Sequence, residues 1–573
     1  GGSIGGNAAF TATNGDVVMT SAPTVTGDLS LTTVGSGDVI VSDGLSVGGN
    51  LTVDADDLRD VDAGVLTLAA TNANIILRDT GAQDRNWSTT FNDLVLSLTG
   101  TGDFSLNNTG ALALSLTTTG GTASFTSDGD LTLNSGDIGG NAALTANNGN
   151  VQLVTVPSVT GNLSLTTVGT GDVILSDDGL TVGGDLTVDA EDLRDSDGGE
   201  LTLAATNANI TLRNEDTQAR DWTTTFEELV LDIAGTGDFN LTNTGDLTVT
   251  SATTGGSATF ATEGGSLTMG AGTIGGDASF SATDGDLVFT NAPTVAGDLT
   301  LTTTGTGAVI VSDTGLIVGG VLTVDADDLR DGDADLTLTA TSANITLRNT
   351  GSQARNWTTS FNELVLDIAG DGDFLLTDTD GLTLTSVTTG GNATFRTTNA
   401  DLILDATPDV AGALSLVAQN SGSIVLPDAG LLHDGDLTLV ADNLIADSAI
   451  RLGASTANIS LRDGAQIQSW NTAFDSLELD IAGSGDLLLT DADGLTLTSV
   501  STGGNATFRT TDGDLVLQAT PDVAGTLGLS TIGSGDIVLP NVGLLHAGDL
   551  TIDADNLVAD DVILGAANAD ITL

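Results

Sequence analysis

Asn209–Gly235, NITLRNEDTQARDWTTTFEELVLDIAG, returns as Asn74–Gly100 (NIILRDTGAQDRNWSTTFNDLVLSLTG), as Asn344–Gly370 (NITLRNTGSQARNWTTSFNELVLDIAG) and more loosely as Asn458–Gly483. All four tryptophans fall inside it, at Trp87, Trp222, Trp357 and Trp470, each with a phenylalanine four residues on. Their spacings are 135, 135 and 113 residues. A long fixed period marks an array of like units rather than a set of separate globular cores.

Between these stretches the chain alternates. Gly27–Thr33 (GDLSLTT) sets Leu at every second position with Ser or Thr between, and Asp38–Asp43 (DVIVSD) sets Val at 39 and 41. Period-two alternation marks a strand with one buried and one wet face, and Thr and Val favour that conformation. Gly, Asn and Asp at the breaks supply positive φ or side-chain turn bonds. No window repeats its apolar positions at 3.6 residues, so no helix is expected.

The second unit divides into turns beginning near Ile138, Thr160, Gly184, Asn209, Thr236 and Gly255 and closing at Thr273, six turns of roughly 23 residues. So short a segment cannot bury its apolar face alone, but stacking on a like neighbour can. Each strand then meets its counterpart one turn later in the same direction. The expected fold is all-β, a right-handed parallel β-helix (β-solenoid) of about 25 turns of roughly 19–27 residues. At about 4.8 Å per turn the rod would be on the order of 120 Å long. The fall in spacing from 135 to 113 removes 22 residues, one whole turn. A fractional turn would throw side chains onto the wrong face. Residues 1–573 therefore read as one continuous solenoid, with repeat units near 4–137, 138–273, 274–388, 389–501 and 502–573, the last incomplete. Gly1 opens inside a repeat and ANADITL closes mid-pattern, so a longer parent chain is expected.

The charge balance excludes whole classes of partner. There are 77 Asp+Glu against 13 Lys+Arg, every one of the 13 an arginine, for a net charge of −64. Such a polyanion does not bind nucleic acid or an anionic membrane surface. No apolar run of about 18 residues is present, so no membrane insertion of this chain is expected. Cysteine is absent, and no disulfide framework holds the fold. Aromatic residues are 3% of the chain, so the interior is built from Leu, Val, Ile and Ala.

Three groups of residues invite a chemical reading. VDADDLRD (53–60), VDAEDLRD (188–195) and VDADDLRD (324–331) set carboxylates at close spacing. Oxygen clusters of this kind take Ca²⁺, which makes Ca²⁺ the one cofactor to consider. The reading preferred is solvated turn aspartates with no metal ligands assigned, since the GGxGxDxUx run of calcium-binding nonapeptide repeats is absent. Paired carboxylates near an arginine also suit a glycosidase or polysaccharide lyase. An active site needs one asymmetric cleft, however, and these residues recur in three units, so the chain is expected not to be an enzyme. Thr-rich strands such as LTLTAT (336–341) resemble ice-binding faces, but turns of unequal length would not align them. Finally, Arg85, Trp87, Arg220, Trp222, Arg355, Trp357 and Trp470 mark possible lateral-contact or ligand positions on a bulged corner. In the other reading of that corner, each Trp folds over the coil and is stacked by its own Arg.

GDLTL, GGNLTV and LTLAATNANITLR together resemble the repeats of filamentous-haemagglutinin-type exoproteins and giant bacterial adhesins, over nearly the whole chain. The chain departs from them in its longer turns and greater aspartate content. The resemblance implies a non-catalytic β-helical shaft, extracellular or at the bacterial cell surface, that spaces a tip from the cell. Its expected partners are other copies or segments of the same fibre, or host or surface glycans. The alternative is a glycan- or mineral-binding β-helix dependent on Ca²⁺.

Overall fold

The computed structural model describes residues 2–21, 23–312, 314–332, 335–447, 449–463, 468–559 and 563–573. Among them there is no helix, 58% of the chain lies in strands, and parallel sheets stack as a β-solenoid of about 27 turns. The chain forms two compact units, Gly1–Val295 and Ala296–Leu573.

In the first unit one ladder runs through Ala8–Ala12, Leu29–Thr33, Asn50–Ala55, Asn72–Leu77 and Asp93–Leu98, all parallel. A second runs through Leu66–Ala69, Arg85–Thr90, Phe104–Asn108, Ala123–Ser127, Ala142–Ala146 and Leu163–Thr167. A third runs through Leu201–Ala204, Arg220–Thr225, Phe239–Thr244 and Ala258–Glu263 to Ala278–Thr283. The second unit repeats the pattern, for example through Arg355–Ser360, Phe374–Asp378, Ala393–Thr397 and Leu414–Ala418. Alternate residues point inward along each strand: Leu29, Leu31 and Thr33 are buried while Ser30 and Thr32 are half-buried. The expected alternation is what builds the core.

Turns are shorter and more uniform than the repeat pattern suggests. Arg85 lies opposite Phe104, Phe104 opposite Ala123, and Ala123 opposite Ala142, nineteen residues apart in each case. Leu163 to Leu186, at twenty-three, is among the longest steps. The expected 27-residue turn at Asn209 is absent, because Asn209 pairs with Val230, twenty-one residues on. The seven residues between Leu212 and Arg220 close the third side of an ordinary turn instead of looping out. This accounts for about 27 turns where about 25 are expected.

The repeat is not a whole number of turns. Six steps down the first ladder from Ala8 pass Leu29, Leu51, Ala73, Leu94 and Leu114 to reach Leu133. Ala142, the counterpart of Ala8 in the next repeat, lies nine residues further, in the second ladder. Six steps from Ala142 reach Met269, and its counterpart Ala278 again lies nine further, in the third ladder. In the second unit five steps from Ala393 reach Leu497, and Ala506 lies nine further. The 22 residues missing from the last interval are thus one whole turn, and the nine-residue remainder is kept.

A bulge also recurs. The register slips between Leu94 and Val95, Leu229 and Val230, Leu364 and Val365, and Leu477 and Glu478. Each slip re-aims the facing strand, whose inward positions change phase from Leu112 and Leu114 to Thr117 and Thr119.

Candidate functional site

The structure buries the tryptophans offered above as lateral-contact or ligand positions. Trp87, Trp222, Trp357 and Trp470 are at most 2% exposed. Alternation puts Arg85, Trp87 and Thr89 on the inward side of their strand, and Trp87 meets Phe104 of the next turn edge-on, ring centroids 5.0 Å apart. Trp222 with Phe239 and Trp357 with Phe374 repeat the same geometry. Such pairs add about 0.5–1.5 kcal/mol beyond the area they bury. The arginine does not stack on its own tryptophan either.

Arg85, Arg220 and Arg355 are buried and reach back to an aspartate of the preceding turn. Arg85 Nε donates to Asp57 Oδ1 at 2.9 Å, and Nη1 to the Gln83 carbonyl at 3.0 Å. Arg220 Nη2 and Nε donate to Asp192 Oδ1 at 2.9 and 3.1 Å, and Nη1 to the Gln218 carbonyl at 3.1 Å. Arg355 does the same with Asp328, at 2.8 Å, and with the Gln353 carbonyl, at 3.3 Å. The planar guanidinium suits this fork, which a lysine could not reproduce. Burial pushes the Asp192 carboxyl above its ordinary value, against the opposing pull of Arg220. The corner closes tightly because Gly102, Gly237 and Gly372 stack on those glutamine carbonyls, where any Cβ would collide with the oxygen.

These aspartates belong to the VDADDLRD segments, so part of the expectation of solvated turn carboxylates is overturned. Asp57, Asp192 and Asp328 are buried ion-pair partners. Asp54, Asp189 and Asp325 pair with Arg78, Arg213 and Arg348. The Nη2 groups of those arginines run on to the carbonyls of Thr33, Thr167 and Thr303, two turns back. Arginine here fastens turn to turn, which accounts for the choice of cation.

In the fourth repeat, VADNL (440–444) aligns with DADDL (54–58) and QSW (468–470) with RNW (85–87). Asn443 and Gln468 therefore stand where Asp57 and Arg85 stand, and Trp470 Nε1 donates to Gln468 Oε1 at 3.2 Å. Both halves of the ion pair have been neutralised together.

Sequence reasoning missed a second set. Asn108, Asn243, Asp378 and Asp491 are buried, at most 3% exposed. Each accepts from a threonine hydroxyl and a phenylalanine amide of the previous turn: Thr89 and Phe91, Thr224 and Phe226, Thr359 and Phe361, Thr472 and Phe474. Asn108 Nδ2 also donates to the Phe91 carbonyl at 3.0 Å. The signal was present in the alternation, since Phe104, Leu106 and Asn108 share one inward face.

No protein-family model, curated protein or solved structure matches the chain. Grooves lie beside the arginine corners. Lined by the same residue types, they enclose about 510, 200 and 50 Å³ in the first three repeats. Trp87 and Trp222, moreover, sit in different ladders.

Proposed function

We propose that the chain is the non-catalytic structural shaft of an exported bacterial surface fibre or adhesin. Its partners are other copies or other segments of the same fibre. One observation carries the reading: homologous strands move to a different ladder in each repeat, as Ala8, Ala142 and Ala278 do. A spacer needs only that each turn stack on the next. A binding strip or a lateral seam needs the same side chains on one side of the coil, and the nine-residue remainder disperses them. The unequal grooves favour a spacer over an enzyme, for which one well-formed pocket with convergent groups is the usual sign. A net charge of −64 supports a soluble shaft that repels its neighbours at low salt. The placement at the cell surface rests on the likeness of the repeats to exported adhesins.

Antibody raised against the chain is expected to label unbroken cells that make it; label appearing only after the cells are opened would sink the surface reading. Removing whole turns from the parent fibre is expected to shorten its reach and leave binding at its end intact. The alternative of a glycan- or mineral-binding helix loses its aromatic platform with the burial of the four indoles, and a glycan array read with and without Ca²⁺ checks it directly.

A further inference from the structure

Val173–Leu175 pairs with Leu193–Asp195, and Leu175 lies opposite Asp195. At the ends of these strands the carboxylates of Asp177, Asp195 and Asp197 converge, each offering an oxygen within 4.8 Å of the others. Asp177 and Asp197 are exposed, and each accepts a hydrogen bond: Asp177 from Ser196 Oγ at 2.5 Å, Asp197 from the Gly199 amide at 3.0 Å. Asp195 differs. It is 5% exposed, and its Oδ1 is buried with no hydrogen-bond partner. Ser176 Oγ, one residue beyond Leu175, is also buried and unpartnered. The nearby arginines are engaged elsewhere, Arg194 by Asp172 and Arg220 by Asp192. A buried carboxylate oxygen lacking both donor and counter-charge is costly, and a bound cation removes the cost.

We propose that Asp177, Asp195 and Asp197 form a divalent-cation site fitted to Ca²⁺. Ca²⁺ holds oxygens at about 2.3–2.6 Å, so ligands on opposite sides of one shell stand roughly 4.6–5.2 Å apart. Three oxygens mutually within 4.8 Å fit inside that shell. Ca²⁺ takes six to eight ligands in flexible geometry, and the two exposed aspartates leave room for water to complete the set. Aspartate also occupies the three matching positions of the first repeat, Asp43, Asp60 and Asp62, and of the third, Asp313, Asp331 and Asp333. In the first repeat Asp60 Oδ1 instead accepts the Asp62 amide at 3.1 Å; Asp313 and Asp333 lie outside the described residues. The second repeat carries one residue more in the turn, SDDGL (176–180) against SDGL (42–45). The site stands independently of the shaft reading.

The test is calorimetric titration of the chelator-treated full chain with CaCl₂ at high ionic strength, where the diffuse ion atmosphere is screened. Asp195→Asn is expected to remove one saturable equivalent, or to weaken it about tenfold or more. Asp103→Asn, which makes the same charge change at an exposed residue outside the trio, is expected to titrate as wild type. If Asp195→Asn fails to give the native circular dichroism spectrum, Asp197→Asn at the exposed ligand carries the same test. An Asp195→Asn or Asp197→Asn protein that folds and keeps every equivalent overturns the site. So does an Asp103→Asn protein that loses as much.

Discussion

Arg220 Nη2 lies 2.9 Å from Asp192 Oδ1 across one turn of the coil, with both side chains at most 5% exposed. Half of such a pair is worse than none, because it leaves a charge buried without its partner. Arg220→Ala is therefore expected to cost about 3–5 kcal/mol. Arg220→Gln with Asp192→Asn, the combination found at Gln468 and Asn443, should cost distinctly less than the single change. Amide hydrogen exchange over Arg220–Thr225 reads both locally; equal losses for the two variants would refute the pairing argument.

Trp222 is buried in the core. Trp222→Ala is expected to destabilise by about 3–5 kcal/mol through the cavity it leaves against Phe239. Sedimentation of the chain under native conditions should be unchanged. A stable variant with altered self-association would return the indole to the surface.

Asp378 sits where the first two repeats have Asn108 and Asn243. Burial raises its carboxyl from the ordinary 3.8, outweighing the amides of Phe361 and Asp380 and the Thr359 hydroxyl, while Asp380 raises it further. The native state then holds its proton to higher pH than the unfolded chain. That contribution to stability is full below the unfolded value and is lost as pH rises through the folded one. Asp378→Asn is expected to stabilise by about 1 kcal/mol at neutral pH, with the gain shrinking as pH falls toward 3.8. Melting temperatures across that range decide it: a gain that does not depend on pH would mean the carboxylate was never the cause.

Whole turns are the unit of tolerated change. Excising residues 123–141 puts Ala142 where Ala123 stood, opposite Phe104. This variant is expected to keep a cooperative melt and its β-sheet circular dichroism. Excising only 123–131 reverses which side chains face inward, and that chain should aggregate or melt without cooperativity.

Much of this was legible in the residues. Alternation in GDLSLTT placed Leu29 and Leu31 in the core, and the 22-residue slip measured one turn. At the Trp corner both an exposed contact and a Trp folded over the coil were open, and the structure buries the Trp without stacking the Arg on it. Its arginine is buried only because Asp57 or Asp192, 28 residues earlier, arrives beside it. The inward asparagines and aspartates at 108, 243, 378 and 491 were visible in the pattern, but their partners lie on the previous turn. Convergence of Asp177 with Asp195 and Asp197 likewise follows from stacking.

The residues alone determined that this chain forms strands, that the strands stack in parallel, and that turns are gained or lost whole. These follow from side-chain alternation and period, both properties of the linear chain. Only the tertiary structure decided the phase between repeat and turn. A turn's length is set where Gly102 or Gly237 packs on a carbonyl of the turn before. Those contacts join residues about one turn apart. The repeat period cannot report them, and the nine-residue remainder that sends each repeat's strands to a new side emerges only once the turns are stacked.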